Sequence, residues 1–476
     1  MRKILMAICT TILFIGCNTH KPQFDGVPFE KDTSLEDTDF TAEKLDSLSN
    51  FLRKNLETSG MLILQNGKVV YEYGNIKEVS YIASCRKSVL SILYGKYVEN
   101  GAIDLNQTIG ELGIDEDKGL LDIEKTATID HIINSRSGVF YEPVNSGYDK
   151  KNILERGSVK PGDYFVYNNW DFNVAGYILE LKSGKSVYQE IEQQLAIPLG
   201  FQDWNIKNQK KKHKKDKSRY PAYHIYISTR DMAKIGQLML NRGKWNGKQL
   251  VSKDWIEKIT STITPKEIVN KRYGRDESSP FQFSYGYMWW LIDNFKHYPD
   301  FEGAFTASGW GGQYITVIPK RKMVIAHKYK VPKLVNWGLK SGGVSEYSYW
   351  NLIFNIITGK KNIAELLSKE KSVKQIIFFI KQEDQVTSDY DISESAINNF
   401  GYKFMNRKDY KSAREIFELN IQLYPNSFNV FDSYGECLLK LKLNQQAIDA
   451  YKKSLELNPN NEKAKKILKE NTVGNK

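Results

Sequence analysis

Two hairpin signatures, far apart in the chain, constrain its fold more than any other feature. The stretch "MLILQNGKVVYEYG" (61–74) is a pair of β runs around Asn66-Gly67. Asn-Gly between apolar runs favours a two-residue hairpin turn. "QYITVIPKRKMVIAHKY" (313–329) is a second pair, turning around Pro319 and Lys320. Residues from about 125 to 260 read mainly as helices and long loops. Strands at both ends with helices between them predict an α+β domain, its one antiparallel sheet assembled from N- and C-terminal parts around a helical insertion.

At 476 residues, 41% hydrophobic and 26% charged, the chain has the composition of a globular protein with room for a large core and an accessory module. Part of its net charge of +12 sits in one run, "KNQKKKHKKDKSR" (207–219). That run has no interleaved aromatics and no nucleic-acid motif beside it, so it reads as a solvated loop and no nucleic-acid partner is expected. The six histidines are scattered and no His/Cys cluster has ligand spacing, so neither a metal nor an organic cofactor is expected.

Arg2 and Lys3 precede the apolar run "ILMAICTTILFI" (4–15), which is short for a bilayer span and has the form of a secretory signal. The run ends in "FIGC", which resembles a bacterial lipobox and implies a lipoprotein signal peptide over residues 1–17 whose Cys17 becomes the lipidated first residue. Phe14 stands where Leu is usual, which leaves ordinary cleavage or an uncleaved anchor open. The expected location is the cell envelope, lipid-anchored, facing the periplasm or the cell surface. Cys85 and Cys437 would then remain, too few for a disulfide framework. Cys85 reads as a small apolar filler.

Three short segments carry the chemistry. "ASCRKS" (83–88) opens a helix whose Val89, Leu90, Leu93 and Tyr97 recur at helical spacing up to Asn100-Gly101. It sets Ser84 and Lys87 one turn apart on a single face. A desolvated lysine there loses basicity and can take a proton from serine, whereas an exposed one beside an N-cap serine does nothing. Tyr167-Asn168-Asn169 stands just before an apolar helix, and "ASGWGGQ" (307–313) is a small-residue run leading into a strand. Glycines there let backbone approach a ligand, and a strand-edge N–H can face an oxyanion. Each motif alone is cheap: Ser-x-x-Lys recurs at Ser368 and Lys371, and Tyr-x-Asn at Tyr349 and Tyr424.

Together they resemble the serine hydrolases of the class C β-lactamase and penicillin-binding-protein family, including its esterase members. The resemblance runs over roughly residues 40–360 and includes "TIDHIINSRSG" (128–138), "YISTRDMAKIGQLMLNRGKWNGKQLVS" (226–252) and "SYGYMWW" (284–290). It implies an antiparallel sheet flanked by helices, with Ser84 as nucleophile, Lys87 as its neighbouring base and Tyr167 as proton shuttle. Which of Lys87 and Tyr167 acts as base stays open, because they would titrate as a pair. By the same resemblance Asn169 holds the lysine or a substrate amide, the N–H groups of Ser84 and Trp310 form the oxyanion hole, and Ser308 and Gly309 border the substrate. His131 reads as structural.

One departure matters. The family's β-lactamases and peptidases carry Lys or His where Ala307 stands here. That cation holds a substrate carboxylate, a contact on the order of 1.5–3 kcal/mol. Its loss points to a serine hydrolase acting on a small ester or amide, unless another Lys or Arg fills the gap. A β-lactamase or DD-peptidase is the alternative within enzymes, and an inactive binding scaffold the alternative outside them.

After about residue 360 the chain becomes Lys-, Glu- and Ile-rich, and then repeats itself. Gly401 and Gly435, Ala413 and Ala447, Phe417 and Tyr451, and Pro425 and Pro459 are each 34 residues apart. The pattern resembles a pair of tetratricopeptide repeats, closed by a helix at about 462–470. The expected domains are a hydrolase at 22–360, a helical linker at 361–390 and repeats at 391–472, the last with a possible protein or peptide ligand.

Overall fold

The computed structural model describes residues 26–145, 149, 151–273, 282–294, 299–329, 343–368, 371–384 and 388–472. Cys17 and the signal segment lie outside them. Nine strands matter here: β1 (Gly60–Gln65), β2 (Lys68–Gly74), β3 (Ser80–Tyr81), β4 (Tyr226–Ile227), β5 (Gln282–Tyr285), β6 (Trp290–Asn294), β7 (Phe305–Gly309), β8 (Gln313–Ile318) and β9 (Met323–Lys328). Seven of them form one antiparallel sheet in the order β2-β1-β9-β8-β7-β6-β5. The N-terminal hairpin therefore joins the last strand, with Met61 opposite His327 and Leu64 opposite Val324. Asn66 (φ 51°) and Gly67 (φ 80°) take the left-handed conformations that a tight hairpin needs.

Five helices position the site: α1 (Ala42–Asn55), α2 (Cys85–Glu99), α3 (Asn169–Ser183), α4 (Thr229–Leu240) and α5 (Glu346–Thr358). The sheet is buried on both faces, and the period-two alternation sorts its residues between two cores. Leu62, Leu64, Ile315, Val324 and Ala326 share one core with residues of α2, α3 and α4. Met61, Ile63, Tyr314, Met323 and Ile325 share the other with Leu48 and Leu52 of α1 and Tyr349 and Ile353 of α5. Each such side chain contributes about 1.5–3 kcal/mol by leaving water. Gly236 lets α4 lie close on the sheet, since a Cβ there would stand 2.4 Å from Val324 Cγ1.

The basic run departs from expectation. Lys210–Lys212 is an exposed strand paired with Ala222–His224, not a loop. Three consecutive solvated lysines carry no alternation, so nothing in the pattern marks them as a strand. β3 and β4 form a further short ladder outside the main sheet.

Beyond α5 come helices at Glu365–Ser368, Val373–Gln382, Glu394–Asn406, Tyr410–Leu423, Phe428–Lys440, Asn444–Leu457 and Glu462–Thr472. The 34-residue offset reappears as a contact. A Cβ at Gly401 would stand 2.5 Å from the Phe417 ring, and one at Gly435 would stand 2.9 Å from the Tyr451 ring. The segment read as a linker packs into this region: Ile363, Leu366, Ile376 and Ile380 share a core with Ile397, Phe400 and Phe417. Ile376 and Ile380, four apart, lie on one face of the Val373–Gln382 helix, and that face is buried here.

Candidate active site

Ser84 lies at the sharp junction between β3 and α2. Ala83, just before it, has φ 47°, a strained conformation for a residue with a Cβ. Ser84 makes no capping bond to the helix it precedes, so helix capping does not account for it. Its Oγ instead accepts from Lys87 Nζ at 3.1 Å, with the Tyr167 phenol nearby.

Lys87 is 1% exposed. Its Nζ stands 3.8 Å from the Tyr167 ring centroid and 4.1 Å from that of Phe172. Burial first, and then the charge of Arg86, hold it well below the ordinary lysine range. The ring faces favour an ammonium by roughly 0.5–2 kcal/mol. Desolvating the charge costs several kcal/mol, so burial decides and shifts Lys87 toward the neutral amine. Burial pushes the Tyr167 phenol up, against the pull of its bond to Ser84. Around one hydroxyl, burial thus favours the neutral forms of both the amine and the phenol.

On the other side of Ser84 lies the end of β7. A Cβ on Gly309 would come within 2.6 Å of Ile82 O and 3.1 Å of Ser84 N, so only glycine allows this approach. Among the described residues, no acceptor takes the backbone N–H of Ser84 or of Trp310. Both remain available to an incoming anion. Ala307, fully buried on the α2 side of β7, adds no cation there. Ser308 is half-buried opposite Tyr314, and Asn169 is buried in the first turn of α3. Cys85 is fully buried with its Sγ on Gln313 O at 3.2 Å, and burial pushes its thiol up, as suits a filler. His131 completes the capping box of a short helix, accepting from Thr128 N at 3.2 Å.

Residues beneath the site hold it in place. Lys328, 1% exposed, bonds Ser80 O at 3.0 Å and also Ile227 O, tying β3 and β4 to β9. His327 is fully buried, with Nδ1 2.7 Å from Gly312 O and Nε2 2.9 Å from Thr58 Oγ1. A carbonyl only accepts, so Nδ1 carries the proton and Thr58 donates to Nε2. His327 therefore anchors the turn that carries Trp310. His327→Leu should lower kcat about tenfold with little change in KM, and His327→Asn, which retains a donor, should recover part of it. Burial lowers His327 to about 4, against 6.5 for a free imidazole. The unfolded chain then binds the extra proton first, so its stabilising contribution is complete above pH 6.5 and is lost as pH falls through about 4. Thermal melts across that window should show a smaller acid-side loss for His327→Asn than for the parent.

A cavity of about 400 Å³, lined by Val27, Phe29, Ile197, Leu199 and Trp245 among others, contains none of these groups. Among the described residues, no cluster of His, Cys, Asp and Glu could hold a metal ion. A profile of the beta-lactamase family matches residues 48–327, a span holding Ser84, Lys87, Tyr167 and Trp310.

The chain belongs to the beta-lactamase family. An uncharacterized protein of Alkalihalophilus pseudofirmus is 22% identical over 269 residues, 52% of this chain and 73% of that one. The structure of a candidate 6-aminohexanoate-dimer hydrolase from Bacillus anthracis superposes with a TM-score of 0.50 at 22% identity, covering 73% of this chain and 89% of that one. A candidate beta-lactamase from Bacteroides dorei gives 0.49 at 17% identity, over 67% and 99%. The Bacillus likeness shows the fold: a β-lactamase-like antiparallel sheet flanked by helices, here followed by a helical region. Sequence reasoning missed Arg86, Phe172 and His327 around this family site. Of these, Arg86 alone carried a signal, by standing inside the Ser84–Lys87 motif.

Proposed function

We propose that this beta-lactamase-family chain is a serine hydrolase that cleaves an ester or amide through an acyl-enzyme on Ser84. The arrangement that carries the reading is one serine hydroxyl bonded to Lys87, beside the Tyr167 phenol and two unengaged N–H groups. The neutral Lys87 amine takes the Ser84 proton as Oγ attacks the carbonyl carbon. The N–H groups of Ser84 and Trp310 hold the oxyanion. Tyr167 passes a proton to the departing alcohol or amine and receives one back from Lys87. Water then repeats the sequence on the acyl-enzyme, releasing the acid.

Ala307 supports an ester or amide over penicillins and D-Ala-D-Ala termini. A panel of p-nitrophenyl esters, nitrocefin and D-amino-acid peptides tests this. Ester turnover without nitrocefin turnover is expected. Nitrocefin turnover without ester turnover would replace the reading with a β-lactamase, and a folded protein inert to all three would replace it with a scaffold.

The C-terminal hairpins are, in the same proposal, a tetratricopeptide pair, supported by the repeated Gly401–Phe417 and Gly435–Tyr451 contacts. A chain ending after Gly359 keeps α5 on the sheet and every proposed catalytic group. It should hydrolyse a small ester within a few-fold of the full chain; loss of that activity in a folded truncation would mean the repeats complete the site. Lipidation of Cys17 would anchor the enzyme at the envelope. Labelling with radioactive palmitate should vanish in Cys17→Ser, and its persistence there would remove the anchor at that residue.

A further inference from the structure

Two residues after Ser84, the Arg86 side chain is 2% exposed. Three part-buried arginines elsewhere meet carboxylates, Arg156 at Glu124, Arg230 at Asp203 and Arg321 at Asp39 and Asp300, while Arg136, less buried than Arg86, rests on Gly162 O and Thr264 Oγ1. Arg86 has no such partner among the described residues. Its hydrogen-bond contact is neutral: Nη2 donates to Asn173 Oδ1 at 3.2 Å, and the Tyr81 phenol lies within reach of its charge. Asn173 in turn donates to Asn145 Oδ1 at 3.1 Å.

The surroundings add to the deficit of negative charge. The His224 ring stacks on Tyr81 with centroids 4.4 Å apart, and its buried Nε2 has no partner among the described residues. Arg86 and Lys212 both act on His224 by their charge. A guanidinium cannot shed its proton, so burial without a counter-charge is a standing cost that an anion would relieve. Tyr81, Asn145 and His224 are each half-buried, so they link this pocket of neutral groups to the surface.

We infer that Arg86 is a specificity-determining residue that binds a carboxylate on the substrate's acyl part, with Tyr81, Asn173 and His224 completing the anion's hydrogen bonds. The acyl part is singled out because it stays tethered to Ser84 while the leaving group must return to solvent, and Arg86 has almost no solvent contact. A carboxylate and a guanidinium pair through two parallel hydrogen bonds, which a lysine cannot copy. The substrate is then a half-acid ester or amide. This inference rests on the proposed acyl-enzyme chemistry.

The test uses the full chain and p-nitrophenyl half-esters of succinic, glutaric and adipic acid. Each is compared with its methyl-capped counterpart. The parent should favour at least one half-acid by about tenfold or more in kcat/KM. Arg86→Gln should lose that preference, and Arg86→Lys should recover only a fraction. An equal rate on acid and capped esters at every length, or a preference that survives in a folded Arg86→Gln, overturns the inference. Should Arg86→Gln fail to fold, His224→Phe and Tyr81→Phe must each weaken the preference, and an unchanged preference in both overturns it. Calorimetric titration of the free diacids into Ser84→Ala, with and without Arg86→Gln, decides the anion site without any turnover. Binding that needs Arg86 upholds the site even if no ester is hydrolysed, in which case only the hydrolase reading falls. Absence of binding to Ser84→Ala overturns the site even if neutral esters are cleaved.

Discussion

Ser84→Ala is expected to reduce ester turnover by on the order of 10³-fold or more, and Lys87→Ala and Tyr167→Phe by about 10²-fold or more each. The three side chains are proposed to act as one unit, with Lys87 bonded to Ser84 and packed on the Tyr167 ring, so the losses should not multiply when combined. A Ser84→Ala/Lys87→Ala double variant should fall little further than Ser84→Ala alone. The pH profile carries a second sign of the same arrangement. Activity should rise with pH along a limb set by loss of the Lys87 proton, and that limb should lie below the ordinary lysine range because burial and Arg86 both disfavour the ammonium. A limb at the free-lysine value would mean that Lys87 is solvated during turnover.

Gly309→Ala should be nearly as damaging, although it adds only a methyl group. That methyl would meet Ile82 O at 2.6 Å and Ser84 N at 3.1 Å, both backbone atoms that cannot rotate away. Either β7 retreats, taking Trp310 N–H with it, or Ser84 shifts relative to Lys87. A displacement of about 1 Å at reacting atoms is enough for roughly 10²-fold. Turnover should drop by that amount while the circular dichroism spectrum stays native. Activity within twofold of the parent would show that the end of β7 does not border the reacting carbonyl.

The sheet was readable because its pairing signals are local and its closure is topological. Asn66-Gly67 specifies a hairpin by backbone conformation alone, and alternating apolar residues in 61–74 and 313–329 require a covered sheet. The seam between β1 and β9 follows once both ends must be buried. Ser84, Lys87, Tyr167 and Trp310 were named from motif order, and the folded chain brings the first three together, with Gly309 against the Ser84 backbone. The rest was hidden by chemistry that depends on neighbours remote in sequence. Arg86 reads as a surface charge because arginine is rarely buried without a partner. Only the packing of Tyr81, Asn173 and His224 around it shows otherwise. His327 was one of six scattered histidines until β8 and β9 set it beside Gly312. The strand at Lys210–Lys212 escaped because its partner, Ala222–His224, and not its own composition, makes it a strand.

The central claim is that Ser84 Oγ becomes acylated. Intact-protein and peptide mass spectrometry after reaction with a fluorophosphonate measures this directly. The account predicts a single adduct, on the peptide containing Ser84, absent from Ser84→Ala and unaffected by Cys85→Ala. An adduct on another residue, or ester hydrolysis that continues undiminished in Ser84→Ala, would contradict it.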